Sequence, residues 1–366
     1  MRKVPTLDKV FLALATAIVF VGFFVFSSAS LGPLVRKGFS LQDLFFDQTL
    51  GLVLGILIAT FITFKFPIKL LQKNALYIFI GSIIVTLLVF VPGIGFGYNG
   101  ADRWIDLRVM SFQPSELLKL GAVIYFAALL PLFKNKLSEV KYSLGLLFGV
   151  IAVPAIVLLK EPDTGTLAVL LAALLAMLIT AGAKLRHFVY VVIIAVFAVG
   201  VLAMVKPYVM ERVLTFMDSS RDPQGASYQL QKSLLAIGSG GVTGRGFGQS
   251  IQKSGSLPEP TGDSIFAVAG EEFGFLGGVT IILLFLAFSV RGILIARRAP
   301  DMFESLLAVG IVILIVSQSF ANIAAMLGLI PLTGVPLVFV SHGGTALLFA
   351  FLEIGILLNI SKLAKS

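Results

Sequence analysis

The stretch LPEPTGDSIFAVAGEEFG, Leu257 to Gly274, opens as a turn punctuated by Pro and Gly, sets Asp263 at the end of that turn, and carries Glu271 and Glu272 into an apolar run. The run continues to about residue 290, long enough to cross a hydrocarbon core of ~30 Å, which takes ~20 apolar residues. Runs of this kind recur along the chain. Of its 366 residues 58% are hydrophobic and 13% charged, and the mean hydropathy is +1.01. That is too apolar for a chain whose surface must meet water. In lipid every backbone N–H and C=O must be satisfied internally, so uninterrupted apolar runs of this length read as helices. The expected fold is an all-α polytopic membrane protein occupying 1–366 as a single transmembrane domain.

The polar breaks delimit ten spans, at about 8–29, 47–64, 75–92, 115–133, 142–159, 163–182, 187–206, 264–290, 303–328 and 341–361. The first has basic residues before it but is too long for a signal peptide and lacks a small-residue cleavage site, so it is expected to stay. Lys and Arg gather in alternate breaks. One side carries Arg2, Lys3 and Lys9, then Lys65, Lys69 and Lys73, Lys134, Lys136 and Lys141, Lys184 and Arg186, Arg291, Arg297 and Arg298, and finally Lys362 and Lys365. The short breaks on the other side carry Arg36, Lys37, Arg103, Arg108 and Lys160. The positive-inside bias therefore puts both termini in the cytoplasm. The net charge of +9 is explained by that bias and by attraction to anionic lipid, and nothing in the chain points to nucleic acid.

With this orientation the one long connection, about 207–263, lies outside the cell. Connections of such length are functional or disordered, and this one contains YQLQKSLLAIGSGG, with Leu230, Leu234 and Ile237 at helical spacing before a glycine stop. A short amphipathic helix on the membrane surface is expected there. The chain has no cysteine, so the loop has no disulfide brace and the protein no Cys metal site.

The candidate chemistry lies on the same outer face. Asp263 suits a helix N-cap and equally a general base receiving a proton from a hydroxyl; the two roles are compatible. Glu271 and Glu272 follow ~12 Å further along a helix starting near Asp263. As intramembrane carboxylates they are expected to lock helices together or to line a channel, and Glu353 is read the same way. In NGADRWIDLRVMSFQPSELLKLG, Asn99 to Gly121, Arg103 and Trp104 precede a helix start in which Pro114 stands near N1. Glu116 and Lys119 share a face three residues apart and can pair; Arg103 and Lys119 can instead converge on a pyrophosphate. In KEPDTGT, Glu161 and Asp163 either solubilise a tight turn or bind a divalent cation with a thin ligand set. GSGGVTGRGFGQS, Gly238 to Ser250, brings Arg245 within flexible backbone, matches no P-loop, and reads as turns or as an anion cradle. GLIPLTGVPLVFVSHGGTALL, Gly328 to Leu348, is a Gly-Pro segment that must be buried in protein or line a cavity. Its His342 belongs to no Ser-His-Asp set and no H-E-x-x-H site.

These phrases, NGADRWIDL with FQPSELLKL, EPDTGT, ERVLTFMD with DPQGASYQLQKSLLAIGSGGVTGRGFGQSIQK, LPEPTGDSIFAVAGEEFGFLG and the 328–348 segment, resemble in order the SEDS family, the FtsW/RodA/SpoVE group. The resemblance runs from about Asn99 to the tenth span. It implies a ten-helix peptidoglycan glycosyltransferase that polymerises lipid II on the outer face of the bacterial cytoplasmic membrane and releases undecaprenyl pyrophosphate. It also implies a class B penicillin-binding protein transpeptidase as partner, within the divisome or elongasome, and possible use of a divalent cation (Mg or Mn). The family's essential aspartate falls on Asp263, its Arg-Trp pair on Arg103 and Trp104, and its lysine on Lys119; Arg245 is placed with the substrate-binding cations, and Glu116, Glu271 and Glu272 with structural or channel carboxylates. GQSIQK and DPQGASYQLQKSL lean toward the FtsW, or division, branch. A RodA-type elongation polymerase and a lipid II flippase are the alternatives. Two departures stand out: Thr261-Gly262 where the family has His-Thr, and Ser341-His342-Gly343-Gly344-Thr345 in place of its SYGGS phrase.

Overall fold

The computed structural model describes residues 7–32, 41–98, 101–106, 111–218 and 226–363. Arg2, Lys3, Arg36, Lys37, Arg108, Lys365 and the DPQG phrase of the long loop lie outside these residues. All ten expected apolar segments are helical: α1 Lys9–Ala29, α2 Leu41–Lys65, a short α3 Lys69–Lys73, α4 Ala75–Leu87, α5 Pro114–Leu129, α6 Val140–Lys160, α7 Thr164–Thr180 and α8 Leu185–Val205 come first. The long connection then holds α9 Pro207–Met217, α10 Ala226–Ser239 and α11 Ile251–Gly255, and the bundle closes with α12 Ile265–Arg298, α13 Met302–Met326 and α14 Gly344–Leu363. Eight described helices have the length and apolarity to cross a membrane, and Ala75–Phe90 and Thr164–Thr180 are shorter.

α13 is the centre of the bundle, packed against α5, α7, α12 and α14. Leu306, Leu307, Ile311, Val312 and Ile315 are buried around its whole circumference, which is how a helix apolar on every side is accommodated. α2 lies along α14, where Gly355 meets the backbone of Ala59. Two apolar helices gain little hydrophobic drive from leaving lipid, so small residues that let backbones touch supply the packing instead. α8 is the opposite case. Only His187 and Val191 are buried in it, and the remainder faces outward as lipid-contacting surface.

Three features depart from the sequence reading. First, an antiparallel three-stranded meander, β1 Gly95–Tyr98, β2 Ala101–Asp106 and β3 Ser111–Phe112, stands in the connection before α5. Second, the long connection carries α9 as well as the expected amphipathic helix. The latter, α10, runs beside the start of α12, with Gln229 bonded to Asp263 and Ile237 against Gly270, so it packs on protein as well as facing outward. Third, α12 is two helices joined at Gly274 (φ 64, ψ −161). A Cβ at that position would collide with the backbone of Val242 and Gly244, and the left-handed φ suits only glycine. From Phe275 to Arg298 the helix is by itself ~36 Å long at 1.5 Å per residue, enough to cross the bilayer and end at Arg297 and Arg298. The residues from Ile265 to Gly274 are nearly all buried. The apolar stretch expected to cross at 264–290 is therefore two helical pieces, and Glu271 and Glu272 stand on the N-terminal side of the kink.

Candidate active site

Asp263 ends the 259–263 turn immediately before α12 and is half-buried. Its backbone is fixed from two other elements. Asn322 on α13 donates from Nδ2 to the Asp263 carbonyl at 2.7 Å and to Val335 at 2.8 Å. Ser341 Oγ donates to the Gly262 carbonyl at 2.7 Å, and His342 N–H to Thr261 at 2.7 Å. The side chain is held from the long connection: Gln229 Nε2 on α10 donates to Oδ1 at 2.9 Å and to Ser264 Oγ at 3.0 Å. Burial raises the Asp263 carboxyl, Glu259 raises it further, and the Gln229 hydrogen bond and Arg212 oppose them; the result is a pKa of about 6. No side-chain cap bond from Asp263 to α12 is formed, and the residue at the N-cap position is Ser264. The capping reading of Asp263 is thus replaced by a carboxylate presented at the rim.

Beside it lies a cationic cluster. Arg103 on β2 donates from Nε to the Glu161 carbonyl at 2.9 Å and from Nη2 to the Pro162 carbonyl, holding the turn between α6 and α7. Arg212 on α9 donates from Nη1 to Thr333 O at 3.3 Å. Arg103, Asp163, Tyr208 and Asp263 all act on it electrostatically. Glu161 is buried, and burial, then the neighbouring Asp163, push its carboxyl up to about 8 against the pull of Arg103; one of its oxygens, Oε1, has no partner. Asp163 caps α7, Oδ1 accepting from Thr166 N at 3.1 Å and Oδ2 from Thr166 Oγ1 at 2.8 Å. Asp163 is thus engaged as the α7 cap, and Glu161 is the member of the pair that keeps an unpartnered oxygen. Among the described residues no three His, Asp or Glu side chains are grouped as a metal would need.

A second cluster sits deeper, around a cavity lined by Glu116, Lys119, Gln318, Ser341, His342 and Glu353 among others. Lys119 Nζ contacts Glu116 Oε1 at 2.8 Å and donates to Gln318 Oε1 at 2.5 Å. Gln318 lies one helical turn from Asn322 on α13, so this chamber backs onto the Asp263 turn. His342 stacks on Phe26 at 5.8 Å between centroids, and its Nε2 is buried without a partner.

Glu271 and Glu272 belong to a third arrangement. Lys253 is 1% exposed and spends its ammonium on Glu272 Oε1 at 2.5 Å, Ser28 Oγ at 2.9 Å and the Ser28 carbonyl at 3.0 Å. Glu271 accepts from Ser250 Oγ at 2.5 Å and from the first N–H groups of α11, those of Ile251 at 3.1 Å and Gln252 at 3.2 Å. Arg245 Nε stands 3.5 Å from Glu271 Oε1. These side chains fasten the 238–255 segment to α12 and α1.

The sequence-derived candidates are thus sorted. Arg103 and Lys119 do not meet; each belongs to its own cluster. Arg103 and Trp104 are neighbours on β2 where the register with β1 shifts, Trp104 facing Phe96 and Asp102 facing Gly97. Arg245 lies beside Glu271, about two helical turns from Asp263. Gln229, Arg212, Tyr208, Gln318 and Asn322 went unnoticed. For Tyr208 and Arg212 a signal existed, since PYVMERVLTFM has Pro at N1 and an i, i+4 polar pair. For the amides none did.

The profile of the FtsW/RodA/SpoVE family, described as cell cycle proteins, matches residues 8–366. The chain is 36% identical over 364 residues to a probable peptidoglycan glycosyltransferase FtsW of Geobacter sp. (strain M18), covering 99% of this chain and 98% of that one. It is 38% identical over 279 residues to stage V sporulation protein E of Bacillus subtilis (strain 168), 76% of each chain. Among solved structures, a chain from a peptidoglycan synthase complex, reported for its structural coordination of polymerization and crosslinking, superposes with a TM-score of 0.79 at 27% identity, covering 97% of this chain and 98% of that chain.

Proposed function

Because the chain belongs to the FtsW/RodA/SpoVE (SEDS) family and is a multi-pass membrane peptidoglycan glycosyltransferase, we propose that it polymerises lipid II into glycan strands on the outer face of the cytoplasmic membrane, for septal wall synthesis. Nucleotide-activated sugars are confined to the cytoplasm, so a transferase working on the outer face takes its donor from the membrane, already activated by a prenyl diphosphate. The acceptor hydroxyl attacks the anomeric carbon of the donor, the carbon–oxygen bond to the diphosphate breaks, and undecaprenyl pyrophosphate leaves. Asp263 takes the hydroxyl proton as general base, a step worth typically 10²–10⁴-fold. Fixed cations stabilise the charge that develops on the leaving group.

The observation that carries this reading is the placement of Asp263: a half-buried carboxylate bonded by Gln229 on a turn whose backbone carbonyls are held by Asn322, Ser341 and His342, with a pKa of about 6 that suits a base at neutral pH. The septal assignment rests on the near full-length likeness to an FtsW. A class B penicillin-binding protein transpeptidase is the proposed partner, by analogy with the complex in which the structural relative was solved. A divalent cation, Mg or Mn, would arrive mainly with the diphosphate, since Mg is commonly held by substrate phosphates and one or two carboxylates. No step above is assigned to it.

The experiment is polymerisation of purified lipid II by the protein with its transpeptidase partner, with and without EDTA. Wild type should make glycan strands, and folded Asp263→Asn protein should fall by ~100-fold or more. Asp263→Asn protein polymerising at the wild-type rate would remove Asp263 from the mechanism. Lipid II translocation in liposomes with no polymer under any partner condition would favour a flippase.

A further inference from the structure

The Asp263 turn rests on the segment between α13 and α14, where Ser341 and His342 bond the carbonyls of Gly262 and Thr261. Residues 331–337 of that segment form no helix or strand, so their carbonyls depend on side-chain donors. Two amides one turn apart on α13 supply them: Asn322 donates to Val335 O at 2.8 Å and Gln318 Nε2 to Pro336 O at 3.2 Å. The segment also carries Phe339 at φ 67, a left-handed conformation that is unfavourable for a residue with a Cβ and persists only where the surroundings over-determine it. Without its donors the segment would relax, and the turn bonded to Ser341 and His342 would move with it.

Gln318 is itself oriented from its other side. An amide can present either its oxygen or its nitrogen to a neighbour. Here the neighbour is the Lys119 ammonium, which only donates, 2.5 Å from Gln318 Oε1. Lys119 is fixed in turn by Glu116 at 2.8 Å, and Glu353, lining the same chamber, acts on it electrostatically. The amide oxygen must therefore face the lysine, which leaves the nitrogen for Pro336. Gln318 and Lys119 are both buried, so water does not replace either bond, and an unmade one would carry its full desolvation cost.

We propose that Gln318 is a positioning residue for Asp263: oriented by Lys119, it holds the 335–341 segment on which the 261–263 turn rests. Lys119 then acts on the reaction through Gln318 and not by touching substrate. The proposal rests on the lipid II polymerase reading with Asp263 as base, and adds the path by which a buried ion pair fixes that base in place.

Hydrogen exchange and steady-state polymerisation, on the full chain with its transpeptidase partner in nanodiscs, test it. Gln318→Leu keeps the bulk and removes both hydrogen bonds; Lys119→Met leaves Gln318 in place without the donor that orients it. Both should speed amide exchange over 337–342, where Ser341 Oγ accepts from the Leu337 N–H and the Thr261 carbonyl from the His342 N–H. Ser319→Ala, whose hydroxyl bonds back to Ile315 within α13, should exchange and polymerise as wild type. Both test variants should lower kcat by roughly 10–100-fold, as a displaced catalytic group does, with KM for lipid II within about twofold of wild type. A loosened turn lets water reach the Asp263 carboxylate, so the acid limb should move down from about 6 toward the ordinary 3.8, a shift that a loss of folded protein does not produce. The double variant should be no slower than the worse single one, since the two residues act in series. A raised KM with kcat unchanged, single losses that multiply in the double variant, or exchange over 337–342 equal to wild type each overturn the proposal, and polymer made by wild type keeps the polymerase reading in those cases. If wild type makes no polymer while Gln318→Leu and Lys119→Met still speed exchange over 337–342, the path to the turn stands and the polymerase reading falls.

Discussion

Asp263 carries two opposing influences that can be separated by titration. Its carboxyl is raised above the ordinary aspartate value of 3.8 to about 6 by burial and by Glu259, while Gln229 donates to the ionised form and lowers it. A base must be ionised, so polymerisation should fall about tenfold per pH unit below about 6 and level off above it. Removing the donor with Gln229→Ala should move that acid limb to higher pH, because the carboxylate loses a hydrogen bond that the neutral acid did not need. An acid limb unmoved in Gln229→Ala would detach the loop helix from the chemistry. Stability runs the other way. A folded-state pKa above the unfolded one means the group contributes stability fully below pH 3.8 and loses it as pH rises through about 6. Asp263→Asn should therefore melt no lower than wild type at pH 7.5, as read by thermal denaturation in detergent, while losing activity. At this scale the sequence was informative about Asp263, a carboxylate at the end of a Pro-Gly turn before an apolar helix. It was silent on Gln229 and Asn322, because an amide in a helix has no spacing signature and gains its meaning only from the atom it faces.

The elements around the site are held by one buried staple. Lys253, Glu272 and Ser28 join α11, the outer part of α12 and the end of α1, and all three ammonium donors of Lys253 are used. Breaking a buried pair from one side leaves a desolvated charge, a loss of about 3–5 kcal/mol. Lys253→Ala should lower the melting temperature and speed amide exchange across 238–255, whereas Lys253→Met with Glu272→Gln should recover part of the loss; unchanged exchange in Lys253→Ala would mean the staple contributes nothing. The glutamates read as helix-locking or channel carboxylates lie in α12 on the N-terminal side of the kink and fasten the 238–255 segment to it. That placement turns on Gly274, whose glycine identity was visible and whose positive φ was not. The β-meander escaped notice for a similar reason: GFGY and SF are too short and glycine-rich to show an alternating pattern, and pairing across the loop makes the strands.

For the whole molecule, orientation decides whether any of this chemistry has access to lipid-carried sugar. The chain contains no cysteine, so single-cysteine variants report topology directly. A cysteine at Lys206, before α9, should react with a membrane-impermeant maleimide in intact cells or spheroplasts, and one at Lys136, before α6, only after permeabilisation. The reverse pattern would place Asp263 in the cytoplasm and end the glycosyl-transfer reading.

The sequence by itself determined the apolar helical segments, their order, the charge bias from which their orientation is read and the acid on the turn before α12, because length, apolarity and the positions of Lys and Arg are local properties that the bilayer reads one segment at a time. Tertiary structure alone decided which ionisable groups meet. Helices apolar all round look alike from lipid and from the bundle interior, so hydropathy does not fix how each is rotated about its axis. Arg103 on the 161–162 turn, Lys119 on Gln318, Lys253 on Ser28 and Glu272, and Gln229 on Asp263 are outcomes of that rotation and of a folded long connection.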